Sequence, residues 1–313
     1  MKNPRLSKTL IATFTTAAIS SGAFAAVPEQ CQTVTMTDPG WTDIGATNGL
    51  ATTVLEALGY STDIKLLAVP IGYESLKNGE IDVFLGNWMP AQTAFLEKYK
   101  DSLDVIRTNL EGVKFTLAVP QYVADAGVTD FADLEKFSKD FRSRIYGIGA
   151  GSPANQNLMN MIDKNDFGLG EWRVVESGEQ AMLAQVSRAV KRENFIVFLA
   201  WEPHPMNVNF DLQYLSGGDE YFGPNYGGAT IHTVTRKGYA SECGNVAQLL
   251  ENMEFTLNME NTVISMTDEG MSANDAAKKW LQDNPAVLSD WLEGVTTTSG
   301  QPGLAAVNSA LGL

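Results

Sequence analysis

A chain of 313 residues with a formal net charge of −15 presents no basic footprint, which excludes nucleic acid as a partner. Its length and 44% apolar content suffice for one large or two medium domains, and the acidity keeps an exported protein soluble or attracts small cations. With only two histidines and two cysteines, and no H-x-x-x-H, C-x-x-C or G-x-S-x-G spacing, neither a metal centre nor a nucleophilic enzyme is indicated, and no cofactor is expected.

The N-terminus carries Lys2, Arg5 and Lys8, then an uncharged stretch from Thr9 to the small-x-small signal Ala23-Phe24-Ala25. That is the pattern of a secretory signal peptide over residues 1–26, too rich in Ser and Thr for a membrane anchor. The mature protein is therefore expected to be exported and soluble. In an oxidising compartment Cys31 and Cys243 are natural disulfide partners.

Strand-like and helix-like runs then alternate, which predicts parallel sheets covered by helices. Thr33–Thr37 reads as a strand, Ala46–Leu58 as a helix stopped by Gly59, Asp63–Val69 as a strand, Tyr73–Asn78 as a short helix and Ile81–Trp88 as a strand. Lys114–Val119 is an apolar strand that carries the chain to a second lobe. There the order recurs: Arg144–Ile148, Asn155–Asp163, Trp172–Glu176, Gln180–Lys191 and Phe195–Trp201 alternate strand and helix. A Gly- and Tyr-rich loop, Ser216–Gly228, leads into a return strand, Ala229–Val234. Amphipathic helices follow at Val246–Leu257, Ala273–Leu281 and Pro285–Leu292, with a mobile stretch at Thr296–Gly303 before a last short helix.

Both β-α-β-α-β units end on an apolar run broken by tryptophan, VFLGNWMP at Val83–Pro90 and VFLAWEPHP at Val197–Pro205. In open α/β sheets, ligands bind outside the carboxyl ends of the strands, so Trp88 and Trp201 stand where a ligand would sit. Trp41, just past the first strand, and Phe115 join them. Several ring faces around one cavity make a cage for a cation that cannot hydrogen-bond, such as a quaternary ammonium. At roughly 0.5 to 2 kcal/mol each, three or four rings supply much of a micromolar affinity, about 8 kcal/mol. Trp172, Trp280 and Trp291 read as core residues. Asp43 serves either this site or the cap of the helix after it. Gly147–Ser152 reads as a tight strand-to-helix turn with free N–H groups facing the cleft, since the last glycine of a dinucleotide fingerprint is replaced by Ser152. Glu202 reads as a supporting anchor, and His204, between two prolines, as a residue pinning its loop.

At Gly40-Trp41-Thr42-Asp43, Gly86-Asn87-Trp88-Met89-Pro90, Trp201-Glu202-Pro203-His204-Pro205 and Phe222-Gly223-Pro224-Asn225-Tyr226-Gly227-Gly228, the chain resembles the periplasmic choline-binding proteins of bacterial ABC importers, over nearly all its mature length. The resemblance implies a two-lobe α/β periplasmic binding protein of the type II, Venus-flytrap kind. Lobe one would comprise residues 27–113 and 230–313, and lobe two residues 114–229. It further implies an aromatic box at Trp41, Trp88, Phe115 and Trp201, a choline hydroxyl accepted by Asp43, and paired cysteines. Phe115 stands where such proteins usually have tyrosine, and Ser152 where they have asparagine, so a water would fill the gap at the shorter side chain. The expected partners are choline or a related quaternary ammonium and an inner-membrane ABC permease, the protein itself being a periplasmic monomer and not an enzyme. A carboxylate beside the alcohol end favours choline. Glycine betaine or carnitine is the alternative ligand, and an exported choline-ester hydrolase, with Ser152 as nucleophile near His204, the remote one.

Overall fold

The computed structural model describes residues 27–313, so the signal peptide expected at 1–26 lies outside the described residues. The strands are β1 (Thr33–Asp38), β2 (Ser61–Leu66), β3 (Val83–Met89), β4 (Leu103–Pro120), β5 (Arg144–Tyr146), β6 (Arg173–Val175), β7 (Phe198–Glu202), β8 (Leu212–Tyr214) and β9 (Gly228–Arg236). They form one hydrogen-bonded order, β2-β1-β3-β9-β4-β7-β5-β6, with β8 added beside β4. At one end β2, β1 and β3 are parallel, and at the other β7, β5 and β6 are parallel. Between them β9 and β4 run antiparallel to each other and to their outer neighbours β3 and β7. The order is therefore a palindrome: in each end unit the second strand is outermost and the tryptophan-ending third strand lies against a crossing strand.

The apolar runs of β3 and β7 are buried on both faces, as strands covered by helices must be. Both leave the sheet through a cis proline, at Met89–Pro90 and Glu202–Pro203. The helix Thr42–Ala57 between β1 and β2 is buried almost all round. It lies under the helix Ala273–Asp283, where a Cβ on Gly49 would stand 2.7 Å from the Ala273 carbonyl oxygen, so only glycine lets the backbones approach so closely.

Several boundaries differ from expectation. The first helix starts at Thr42 rather than Ala46, which places Asp43 inside its first turn instead of at its cap. The crossing strand is Leu103–Pro120, three times the expected length, its polar first half accommodated by register shifts against β9. The predicted helix Val246–Leu257 is two, Gly244–Asn252 and Leu257–Asp268, the second capped by the Thr256 hydroxyl accepting from the Met259 amide at 3.1 Å. The stretch expected to be mobile, 296–303, is tied down: Thr296 N donates to Asn245 Oδ1 at 2.8 Å and Thr298 N to the Leu58 carbonyl at 2.9 Å. Cys31 and Cys243 are disulfide-bonded across 212 residues, as expected.

Candidate ligand-binding site

Where the tryptophan ends of β3 and β7 face each other, a small, narrow cavity opens. Trp41, Trp88, Phe115, Trp201 and Ser152 line it, with Ala91, Gln92, Ile148, Pro153 and Ala154. Phe115 is the middle ring: its centroid is 5.9 Å from that of Trp88 and 6.3 Å from that of Trp201, at interplanar angles of 55° and 58°. The rings stand tilted round a common space rather than stacked on one another, and among the described residues no Lys, Arg or His side chain lines it. By contrast Trp172, Trp280 and Trp291 are buried core residues away from this cavity.

Asp43 does not line the cavity; it lies behind the wall, wholly buried. Its Oδ2 accepts the Trp88 indole N–H at 3.1 Å and its Oδ1 accepts that of Trp201 at 3.3 Å. One carboxyl thus aims the two indoles that come from opposite ends of the sheet. Burial pushes its pKa up to about 8, the negative charge of Glu179 adding to the rise and the Trp88 N–H opposing it. Deeper still, Glu260 is held well above the usual carboxylate range by burial and by Asp43, and only its Oε1 has a partner, the Thr47 hydroxyl at 3.0 Å.

Other residues hold the rings in place. Behind Trp88, the Tyr73 hydroxyl donates to Gln92 Oε1 and accepts from Asn87 Nδ2, each at 2.7 Å, while Gln92 Nε2 donates to the Gly86 carbonyl at 2.9 Å. Phe222 meets Phe115 edge-on at 5.8 Å. The loop carrying it presses so close to β4 that a Cβ on Gly227, at φ +75°, would stand 2.0 Å from the Phe115 carbonyl oxygen. The Gly- and Tyr-rich loop is therefore a buttress. His204 packs its ring edge on Trp201 at 4.8 Å and accepts the Met206 amide on Nδ1 at 2.9 Å, pinning its loop as expected.

Ser152 caps the helix Pro153–Asp163: its Oγ accepts the Asn155 amide at 3.2 Å, which leaves the hydroxyl proton free. The turn before it differs from expectation, because its amides are largely satisfied internally. Ile148 N donates to Asn155 Oδ1 at 3.0 Å, Gly147 N to the Val175 carbonyl at 3.0 Å and Gly151 N to Glu176 Oε1 at 3.3 Å. Sequence reasoning missed Asn155, Gln92 and Glu179. Glu179 is buried and accepts the Thr42 amide at 3.0 Å, the Thr42 hydroxyl and Gln180 Nε2 at 3.1 Å.

A sequence profile described as the substrate binding domain of the ABC-type glycine betaine transport system, OpuAC, matches residues 32–283. Among solved structures, an ABC-transporter choline binding protein in complex with choline is 52% identical, with a TM-score of 0.89, the match covering 91% of this chain and 99% of that one. An ABC-transporter choline binding protein in an unliganded semi-closed conformation is also 52% identical, at a TM-score of 0.84 over 91% of this chain and 100% of that one. Lactococcal OpuAC, closed and complexed with glycine betaine, is 25% identical, at a TM-score of 0.76 over 83% of this chain and 98% of that one.

Proposed function

The chain belongs to the family of substrate-binding domains of ABC-type glycine betaine transport systems, and from that membership we propose that its own ligand is choline, held in the aromatic cage. Its fold is that of type II periplasmic binding proteins. The observation that carries the ligand assignment is the cavity itself: four aromatic residues, no cationic side chain among the described residues, and a buried carboxyl behind two of the rings. Ring faces attract a quaternary ammonium that offers no N–H for a hydrogen bond, and excluding water strengthens that attraction. Asp43 fixes the two indoles and, when ionised, supplies negative charge behind their rings rather than a direct contact with the ligand. In this reading Phe115 gives a ring face without a hydroxyl, and Ser152 a short donor at the opposite side.

The lobes of this reading are residues 27–113 with 230–313, and residues 114–229. Both boundaries fall within the crossing strands β4 and β9, so bending these strands would open the cage. The protein acts as a periplasmic, monomeric, non-catalytic carrier, exported by the signal peptide at 1–26, that delivers its ligand to an inner-membrane ABC permease. One feature favours a second reading. Pro153 and Ala154, at the start of an eleven-residue helix, line the cavity; Pro153 has no N–H and Ser152 Oγ takes the Asn155 amide, which leaves the Ala154 amide and the Ser152 hydroxyl as donors for a ligand carboxylate such as that of glycine betaine.

Calorimetry on ligand-stripped protein with choline, glycine betaine, carnitine and acetylcholine separates the two. Choline is expected to bind tightest. Tighter binding of glycine betaine would assign the Pro153 helix terminus as the anchor and overturn the choline assignment; turnover of acetylcholine would overturn the non-catalytic one.

A further inference from the structure

Thr42 and Glu179 come from opposite ends of the sheet and meet beside the cage. Thr42 stands in sequence between Trp41 and Asp43, and both its donors, amide and hydroxyl, go to the Glu179 carboxylate. Glu179 is the first residue of the helix Glu179–Val190, so the positive end of the helix dipole complements its charge. Gln180 Nε2 also donates to Oε1, and His204 Nε2 lies 3.1 Å from the same oxygen, in close electrostatic contact rather than an aligned hydrogen bond. Because His204 Nδ1 accepts the Met206 amide, the neutral ring carries its proton on Nε2, facing the carboxylate. The groups from residues 179–206 thus stay with Glu179 whatever the two ends of the sheet do, whereas the donors of Thr42 arrive from the other side.

We infer that Glu179 is a positioning residue, a preassembled acceptor that clasps Thr42 and so holds Trp41 and Asp43 against the wall formed by Phe115 and Trp201. This rests on the reading of the cage as the ligand site. Neither Thr42 nor Glu179 lines the cavity, so the clasp stabilises the closed cage without touching the ligand. Its effect is therefore on release, which requires the cage to open, and not on capture by the open form.

Stopped-flow tryptophan fluorescence, with choline and glycine betaine as probes, tests this. Thr42→Val keeps the shape and the amide but loses the hydroxyl bond to a buried charge; it is expected to speed ligand dissociation roughly 10-fold or more while association stays within about 2-fold. Thr42→Ser should restore slow release. Glu179→Gln, which sets an amide NH2 against the donors already converging there, should speed release as well and so carries the same test should Thr42→Val fail to fold. Adding Thr42→Val to Glu179→Gln should then change little further. Release from Thr42→Val or Glu179→Gln at the wild-type rate, or no rescue by Thr42→Ser, would overturn the clasp alone. Wild-type protein that binds neither probe would overturn the cage and the clasp together.

Discussion

The two walls of the cage orient their rings by different means. On the β3 side a polar scaffold does it: Asp43 takes the Trp88 N–H, and the Tyr73, Asn87 and Gln92 side chains bond in sequence behind that strand. Facing it, apolar contact does most of the work, with Phe222 edge-on against Phe115 and His204 edge-on against Trp201. Hydrogen bonds fix the direction of a ring, whereas packing fixes only where it is, so the second wall depends on a buried neighbour remaining in place. Asp43 joins the two systems by accepting Trp201 as well.

The largest expected effect breaks the packed wall. Phe222→Ala removes a buried ring, and losses of this kind cost about 3 to 5 kcal/mol in stability, read by urea denaturation at fixed pH. A loss below about 1 kcal/mol would mean that the wall collapses onto the gap at little cost. Next come the indoles themselves. Trp88→Ala and Trp201→Ala should each weaken choline binding by about 2 kcal/mol or more, roughly 30-fold, in calorimetric titration. Should only Trp88→Ala do so, Trp201 holds no part of the cation.

A pH series sharpens the role of the residue that joins the walls. With its pKa near 8, the Asp43 carboxyl is mostly protonated at neutral pH in the empty cage, and a bound cation favours the ionised form. Binding below pH 8 must then expel a proton, so choline affinity should rise as pH goes from 6 to 8 and level off above, while Asp43→Asn stays flat. Folding shows the opposite sign. The folded state keeps a proton that the unfolded chain loses near pH 4, so the stability that Asp43 lends to the empty protein is present below about pH 4 and declines up to about 8. A pH-independent choline affinity in wild-type protein would remove Asp43 from the binding electrostatics. The smallest effect belongs to Phe115→Tyr, which keeps the ring face and adds a hydroxyl; affinity should change by less than about 1 kcal/mol.

Much of this architecture was legible because it is written locally. The β-α-β-α-β pattern, the tryptophans that end β3 and β7, and the glycine after the first helix are all visible as short runs. The paired cysteines follow from count and compartment. What escaped is what depends on partners distant in sequence. Glu179 is an unremarked acid in a helix until Thr42, 137 positions away, donates to it. Asn155 and Gln92 matter through the backbone groups they satisfy, which leave no trace in composition. The expectation of free amides in the Gly147–Ser152 turn failed for the same reason, since Asn155 and Glu176 occupy those of Ile148 and Gly151. Asp43, expected to accept a choline hydroxyl, lies behind the cavity wall, where its two indole donors put it. The full length of β4 was hidden because its first half, half-exposed and polar, lacks the apolar run that marks a strand buried on both faces.

The single disulfide also changes what one cut in the chain can do. Cys31 and Cys243 close a covalent ring that takes in both tryptophan-ending strands, both crossing strands and every residue lining the cavity. A protease that nicks any one exposed loop between them leaves a molecule still in one piece, its fragments tethered at the sulfurs and free to stay folded around the cage. Within the ring it takes a second cut, or a reductant, to turn damage into loss of a part.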